Sequence, residues 1–68
     1  MSDKARRLLQ RMASEYDSTK NPSFDCTFYL GYSDSVLSEL EYYGYIIRKN
    51  DILDSIELTD AGYEEAKK

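Results

Sequence analysis

The chain has no covalent or metal cross-link with which to hold a small fold together. It contains 68 residues with one cysteine, Cys26, and no histidine, which excludes an intramolecular disulfide and a zinc site of the Cys/His type. A chain of this length is one domain, residues 1–68, and buries only about 60 % of the surface that its unfolded form exposes. Stability must therefore come from one small core, or from association with a second copy. We expect Cys26 to lie in that core, and a lone thiol suits a reducing compartment.

The spacing of apolar residues predicts a mainly α protein with one small β-hairpin. A first helix is expected over 3–16, with Ser2 as its N-cap, followed by a polar loop over 17–20. A second helix is expected over 22–30, because Asn21-Pro22 is a helix start and Gly31 a helix stop. The alternation of apolar and polar residues over 24–30 has instead the period of a strand, so both structures stay open here, with the helix favoured.

The second half of the chain predicts a helix, a hairpin and a short last helix. Ser33 is the expected N-cap of a helix that Gly44 ends. Two strands follow at 45–47 and 56–58, with the turn chemistry of Asn50-Asp51 between them. Thr59 is the expected cap of the C-terminal helix. The predicted common core consists of the apolar residues Leu8, Leu9, Met12, Phe28, Leu37, Leu40, Ile46 and Leu58.

The charge is unevenly distributed along the chain. The net charge is −4, and residues 21–44 contain four acids and no base. Proteins that bind nucleic acid are usually basic where they contact phosphates, so this acidic middle segment is evidence against a DNA-binding surface. Five bases lie in residues 1–20 and four in residues 45–68, two of the latter in the predicted hairpin, at Arg48-Lys49, and two at Lys67-Lys68.

The stretch from Leu30 to Leu40 resembles the turn and second helix of bacterial helix-turn-helix proteins. That second helix has one apolar face and ends in Gly44-Tyr45-Ile46, and a hairpin and the segment Leu58-Thr59-Asp60-Ala61-Gly62 follow it. Together these pieces resemble the small winged helix-turn-helix regulators of bacteria and their prophages, of the MarR or PadR sort. The resemblance covers about residues 22–64. It implies a three-helix core, a two-stranded wing and a short C-terminal helix.

In that family the helix after the turn enters the DNA major groove, and the wing touches phosphates or the minor groove. The resemblance therefore implies a small cytoplasmic DNA-binding transcription regulator, acting on double-stranded DNA as a homodimer. A helical wheel puts Ser35, Ser38 and Tyr42 opposite the apolar stripe of this helix, flanked by acids where the family usually has basic or amide side chains. The expected DNA-binding residues are Ser33, Ser35, Ser38, Tyr42, Arg48, Lys49 and Asn50.

The main alternative is a winged-helix module that binds another protein. The partner surface would then be the acidic segment 21–44 with its tyrosines, and a DNA mimic is a variant of the same hypothesis. An enzyme is not expected, because the sequence offers no nucleophile paired with a base and no metal-ligand set. We expect no catalytic residues, no cofactor and no metal. The chain also lacks an apolar run long enough for a membrane span, so no membrane association is expected.

Overall fold

A computed structural model describes residues 1–50 and 54–68 of the chain, and they form three helices and a three-stranded antiparallel sheet. The expected hairpin therefore belongs to a larger sheet, and the domain is mixed α/β. The elements in chain order are α1 (Asp3–Thr19), β1 (Ser23–Asp25), α2 (Asp34–Tyr42), β2 (Ile46–Asn50), β3 (Asp54–Leu58) and α3 (Asp60–Ala66).

Two of the three helices begin with the side-chain cap that the sequence predicts. The Ser2 hydroxyl accepts the Ala5 N–H at 3.2 Å, and the Thr59 hydroxyl accepts the Gly62 N–H at 3.0 Å. Helix α1 runs three residues beyond its expected end at Tyr16. It stops at Lys20, which adopts a left-handed backbone with φ 60° and donates its N–H to the Tyr16 carbonyl.

The helix expected over 22–30 is wrong. Residues 23–25 form the short strand β1, and turns follow over 26–32, so the strand alternative is right only for its first residues. Asp25 ends the strand, because its Oδ1 accepts the Thr27 N–H at 3.2 Å and the Thr27 hydroxyl at 2.6 Å. An aspartate that bonds its own backbone two residues ahead favours a turn over a helix. Of the helices expected on either side of Gly31, only the later one forms.

The end of α2 is fixed by the glycine that the sequence predicts as its stop. Gly44 has φ +78° and donates its N–H to Glu41, while the Tyr45 N–H reaches back to the Leu40 carbonyl. This pair of bonds is the Schellman arrangement, in which a left-handed residue closes the last turn. The chain leaves it directly into β2.

Strand β3 lies at the centre of the sheet, between β1 and β2. Ile56 is the partner of Phe24 on one side and of Arg48 on the other, in antiparallel register. The two strands expected in this region are confirmed, and both are longer than expected. Asn50 and Asp54 end the ladder, while the expected turn residue Asp51 lies outside the described residues.

One face of the sheet packs on α1 and α2 and forms the core. Seven of the eight predicted core residues are buried, and Phe28 is half-buried at the core edge, with its ring centroid 4.6 Å from that of Phe24. Cys26 is exposed in the turn after β1, so its expected place in the core is wrong. The buried apolar residues are Ala5, Leu8, Leu9, Met12, Ala13, Phe24, Val36, Leu37, Leu40, Ile46, Ile56 and Leu58.

Helix α3 is docked onto the turn between α2 and β2. The Thr59 hydroxyl donates to the Gly44 carbonyl at 2.7 Å, and the Thr59 N–H donates to the Tyr45 carbonyl at 3.1 Å. Gly62 lies so close to this turn that a Cβ there would be 2.2 Å from the Tyr45 carbonyl oxygen. The missing side chain at position 62 is therefore what allows α3 to approach.

We expect Gly62→Ala to destabilise the protein by about 1–3 kcal/mol, because the added methyl overlaps backbone that cannot move freely. The sign of the change in unfolding free energy is informative. Helix propensity alone would make alanine more stable than glycine here by about 1 kcal/mol. The measurement is the free energy of unfolding in urea. Ala61→Gly, one residue away and exposed, is the control for helix propensity alone. A Gly62→Ala protein as stable as the parent would contradict the close approach.

A second pair of variants tests the core. Leu40 is completely buried, whereas Leu30 is 80 % exposed in the turn region. We expect Leu40→Ala to cost about 2–5 kcal/mol of unfolding free energy. The same truncation at Leu30 should change it by less than about 0.5 kcal/mol. Equal losses of unfolding free energy for the two variants in chemical denaturation would contradict the burial of Leu40 in the core.

Candidate nucleic-acid interface

The predicted base-contacting residues lie on the solvent side of α2. Ser35, Ser38 and Tyr42 are exposed, while Leu37 and Leu40 face the core. The rotational phase that the helical wheel predicted is therefore confirmed. What the exposed side offers is two hydroxyls and one phenol, all of which can donate or accept a hydrogen bond.

The first turn of α2 has backbone donors that meet no acceptor within residues 1–50 and 54–68. Ser33 has the extended backbone of an N-cap, but its side chain accepts no amide of the helix. Its hydroxyl lies 2.9 Å from the Ser35 hydroxyl instead. The first N–H groups of the helix that donate to a backbone carbonyl are those of Val36 and Leu37, both to Ser33. The preceding N–H groups are left for water or for an external acceptor, at the positive end of the helix dipole.

Arg48 connects the hairpin to this end of α2. Its guanidinium donates to the Asp34 carboxylate at 2.7 Å, and the Asp34 side chain is 76 % exposed. The contact joins the middle of β2 to the first residue of α2, which are 14 positions apart in the sequence. The helix start and the hairpin therefore belong to one continuous surface.

Lys49 lies on the other face of β2 and does not join Arg48 in a basic cluster. Consecutive residues of a strand point to opposite faces, and the Lys49 ammonium contacts the Glu57 carboxylate at 2.7 Å. Both cations expected at the wing are thus partnered by acids of their own chain. Of the third expected wing residue, Asn50, only the backbone position at the end of β2 is described.

Glu39 is directed away from the exposed side of α2. Its carboxylate accepts the Ser2 N–H and the Ser2 hydroxyl, both at 2.8 Å. These bonds, led by the one from the backbone N–H, hold the pKa of Glu39 below its usual value. The acid therefore fixes the start of α1 to α2, and its charge is compensated there. The acids expected to flank the DNA-facing side are Asp34, Glu39 and Glu41. Of these, only Glu41 is exposed without an ion pair among the described residues.

The alternative hypothesis from the sequence predicted a partner surface with the tyrosines of segment 21–44, but not that Tyr42 and Tyr43 form one row with Tyr45. The Tyr43 ring lies 5.5 Å from the Tyr42 ring, edge to face, and 5.5 Å from the Tyr45 ring, stacked at 17°. Ile47, two residues further along, is half exposed on the outer face of the sheet. Consecutive residues of a strand point to opposite faces, so a strand that is buried on one face cannot bury both Ile46 and Ile47. The two consecutive isoleucines were therefore the signal in the sequence for an exposed apolar side chain.

Comparison with protein-family models, with curated proteins and with solved structures gave no match to the chain. In the part of the chain that the structure describes, no group of three or more histidine, cysteine or acidic side chains is arranged to hold a metal ion. None of the described helices combines the length and the apolarity needed to cross a bilayer.

The pKa of Glu39 leads to a test of its role. A carboxyl whose folded pKa is lowered adds stability above its unfolded pKa, and this stability is lost as pH falls through the folded value. We expect Glu39→Gln to lower the melting temperature at neutral pH. Below the usual glutamate pKa, the melting temperature of this variant should decrease less with falling pH than that of the parent. Glu41→Gln, which removes the same charge from the exposed side of the same helix, is the matched control, and its melting temperature at neutral pH should stay close to the parent's. Identical profiles for the two variants would contradict a structural role of Glu39.

Proposed function

We propose that the protein is a small winged-helix DNA-binding protein of the transcription-regulator type, acting on double-stranded DNA in the cytoplasm as a homodimer. Helix α2 would enter the major groove, and the β2–β3 hairpin would be the wing. Ser33, Ser35, Ser38 and Tyr42 would contact bases and phosphates, while Arg48, Lys49 and Asn50 would anchor the backbone. A catalytic role is not part of the proposal.

The order and pairing of the elements support this proposal. A helix, a short strand, a helix and a hairpin follow one another, and the short strand β1 pairs with the returning strand of the hairpin. This arrangement exposes one side of α2 beside the hairpin, as a winged helix requires. The turns over 26–32 stand where the resemblance implied a further helix. A compact turn region can still support the start of α2, because Tyr29 and Tyr32 pack against the core there.

The observation that carries the proposal is the contact between Arg48 and Asp34. It brings a cation of the hairpin to the uncapped first turn of α2, where free N–H groups and the Ser33 and Ser35 hydroxyls also lie. Backbone N–H groups at a helix start together with an arginine form a favourable phosphate site. One phosphate could therefore be held by the helix and the hairpin at once.

The two ion pairs limit the expected affinity without preventing binding. Exposed ion pairs such as Asp34–Arg48 contribute only about 0–1 kcal/mol, so a phosphate can compete with the carboxylate. Arginine also has five N–H donors, and one contact with Asp34 leaves others available. Because few phosphates are neutralised and the chain is acidic, we expect weak, strongly salt-dependent binding.

The test is the salt dependence of binding to a fluorescently labelled DNA duplex, measured by anisotropy. Replacing Arg48 and Lys49 together with alanine should lower the slope of log affinity against log salt by about 2, one unit for each phosphate contact. Replacing Lys4 and Arg7, two exposed cations of α1, removes the same charge elsewhere and should change the slope less. Equal effects of the two double variants would argue against the hairpin as anchor, and no binding of the parent at low salt would overturn the proposal.

A further inference from the structure

We propose that the protein has a second binding surface, a docking site for an extended, positively charged peptide segment of a partner protein. The surface is the tyrosine strip, formed by Tyr42, Tyr43, Tyr45 and Ile47. It runs from the C-terminal end of α2 onto the outer face of the sheet. It goes beyond the proposed DNA contact, with which it shares only Tyr42.

The tyrosine strip is a continuous and exposed apolar surface. Tyr42 is 86 % exposed, Ile47 50 % and Tyr43 46 %, and each neighbouring pair of rings has a centroid separation of 5.5 Å. Tyr45 is half-buried and links the exposed rings to the core. Large apolar side chains that form one patch mark interaction sites more often than isolated ones do. Tyrosine adds contact area at low entropic cost, which suits a binding surface.

The strip continues into a groove beside α3. Ile47 lines a cavity of about 470 Å³ together with Pro22, Leu58 and the ring of Tyr63. Thr59, which lines the same cavity, donates its N–H to the Tyr45 carbonyl, so the groove and the strip adjoin. Aromatic-lined grooves of this kind hold extended polyproline-type segments, whose backbone is already ordered before binding.

The charges around the strip select a basic occupant. Glu41 adjoins Tyr42, and Asp60 lines the groove with Ile47. Both acids are exposed, and neither takes part in an ion pair within residues 1–50 and 54–68. The nearest lysine along the strand, Lys49, is held by Glu57.

Two lysines lie at the other side of the groove, Lys67 over the Tyr63 ring and Lys20 over the Tyr16 ring, and Lys67 is paired with Asp17. With the pairs Lys49–Glu57 and Lys67–Asp17 counted as neutral, the acids Glu41 and Asp60 outnumber Lys20. The remaining field is therefore negative, and a ligand with lysine or arginine beside its apolar residues complements it.

The end of α2 adds to this field and disfavours nucleic acid as the occupant. The C-terminal end of a helix carries a partial negative charge, and the last turn of α2 contains no base to offset it. Phosphates would meet Glu41 and this helix end with no cation to hold them. A protein segment can supply both the cations and the apolar side chains that the surface calls for, so a peptide fits it better than DNA does.

The test uses two synthetic peptides in an NMR titration of the isotope-labelled full chain. Both have a Pro-Leu-Pro-Leu centre; one has lysine pairs at its two ends, and the other has glutamate pairs. We expect the lysine peptide to shift the amide signals of residues 41–47 and of Asp60 saturably, with less effect at high salt. The glutamate peptide should leave them unchanged. Tyr42→Ala and Ile47→Thr should each weaken the lysine peptide about tenfold.

Leu30→Ala is the matched control, since it truncates an exposed apolar side chain outside the strip. It should bind the lysine peptide as the parent does, and melting curves would establish that all three variants are folded. Absence of a saturable shift, equal binding of both peptides, or unchanged binding by the Ile47→Thr protein would overturn the proposal. So would a DNA duplex that shifts the signals of Ile47 and Asp60, which would assign the strip to nucleic acid.

Discussion

The turn at Gly44 and Tyr45 is the point on which the arrangement of this protein depends. It ends α2, sends the chain into β2, and presents two carbonyl groups that Thr59 binds from the start of α3. The absence of a side chain at Gly62 lets α3 reach that turn. One tight backbone contact thus orients two helices and the edge strand of the sheet, in a chain without disulfide or zinc site to do so.

The two faces of the sheet differ in burial. Its inner face carries Phe24, Ile46 and Ile56 into the core, where α1 and α2 cover them. Its outer face has no covering helix along β2, so Ile47 stays half exposed. A small domain cannot bury both faces of a sheet, because too few residues remain to form a second layer. Because this apolar side is uncovered, we expect a partner to bind the tyrosine strip.

Electrostatics distinguish the two proposed surfaces more clearly than shape does. At the start of α2 the helix dipole is positive and Arg48 is near, so an anion is favoured there despite Asp34. At its end the dipole is negative and Glu41 has no ion pair with the described part of the chain, so a cation is favoured there. One short helix therefore has opposite preferences at its two ends. The acidic composition by itself argues against DNA binding. Some of the acidic side chains, however, take part in contacts within the protein, such as those of Glu39 with Ser2.

The sequence by itself determined the features that depend on near neighbours. The caps at Ser2 and Thr59, the stop at Gly44 and the apolar stripe of α2 follow from hydrogen bonds and periodicity within a few residues, and each appears where it was expected. Only the tertiary structure decided the segment 22–30, where end signals for a helix competed with strand periodicity. Its first residues pair with β3, 30 to 34 positions away, and no local pattern encodes that pairing. The same holds for the Arg48–Asp34 contact, because the sequence supplies the charges while the fold chooses which of them meet.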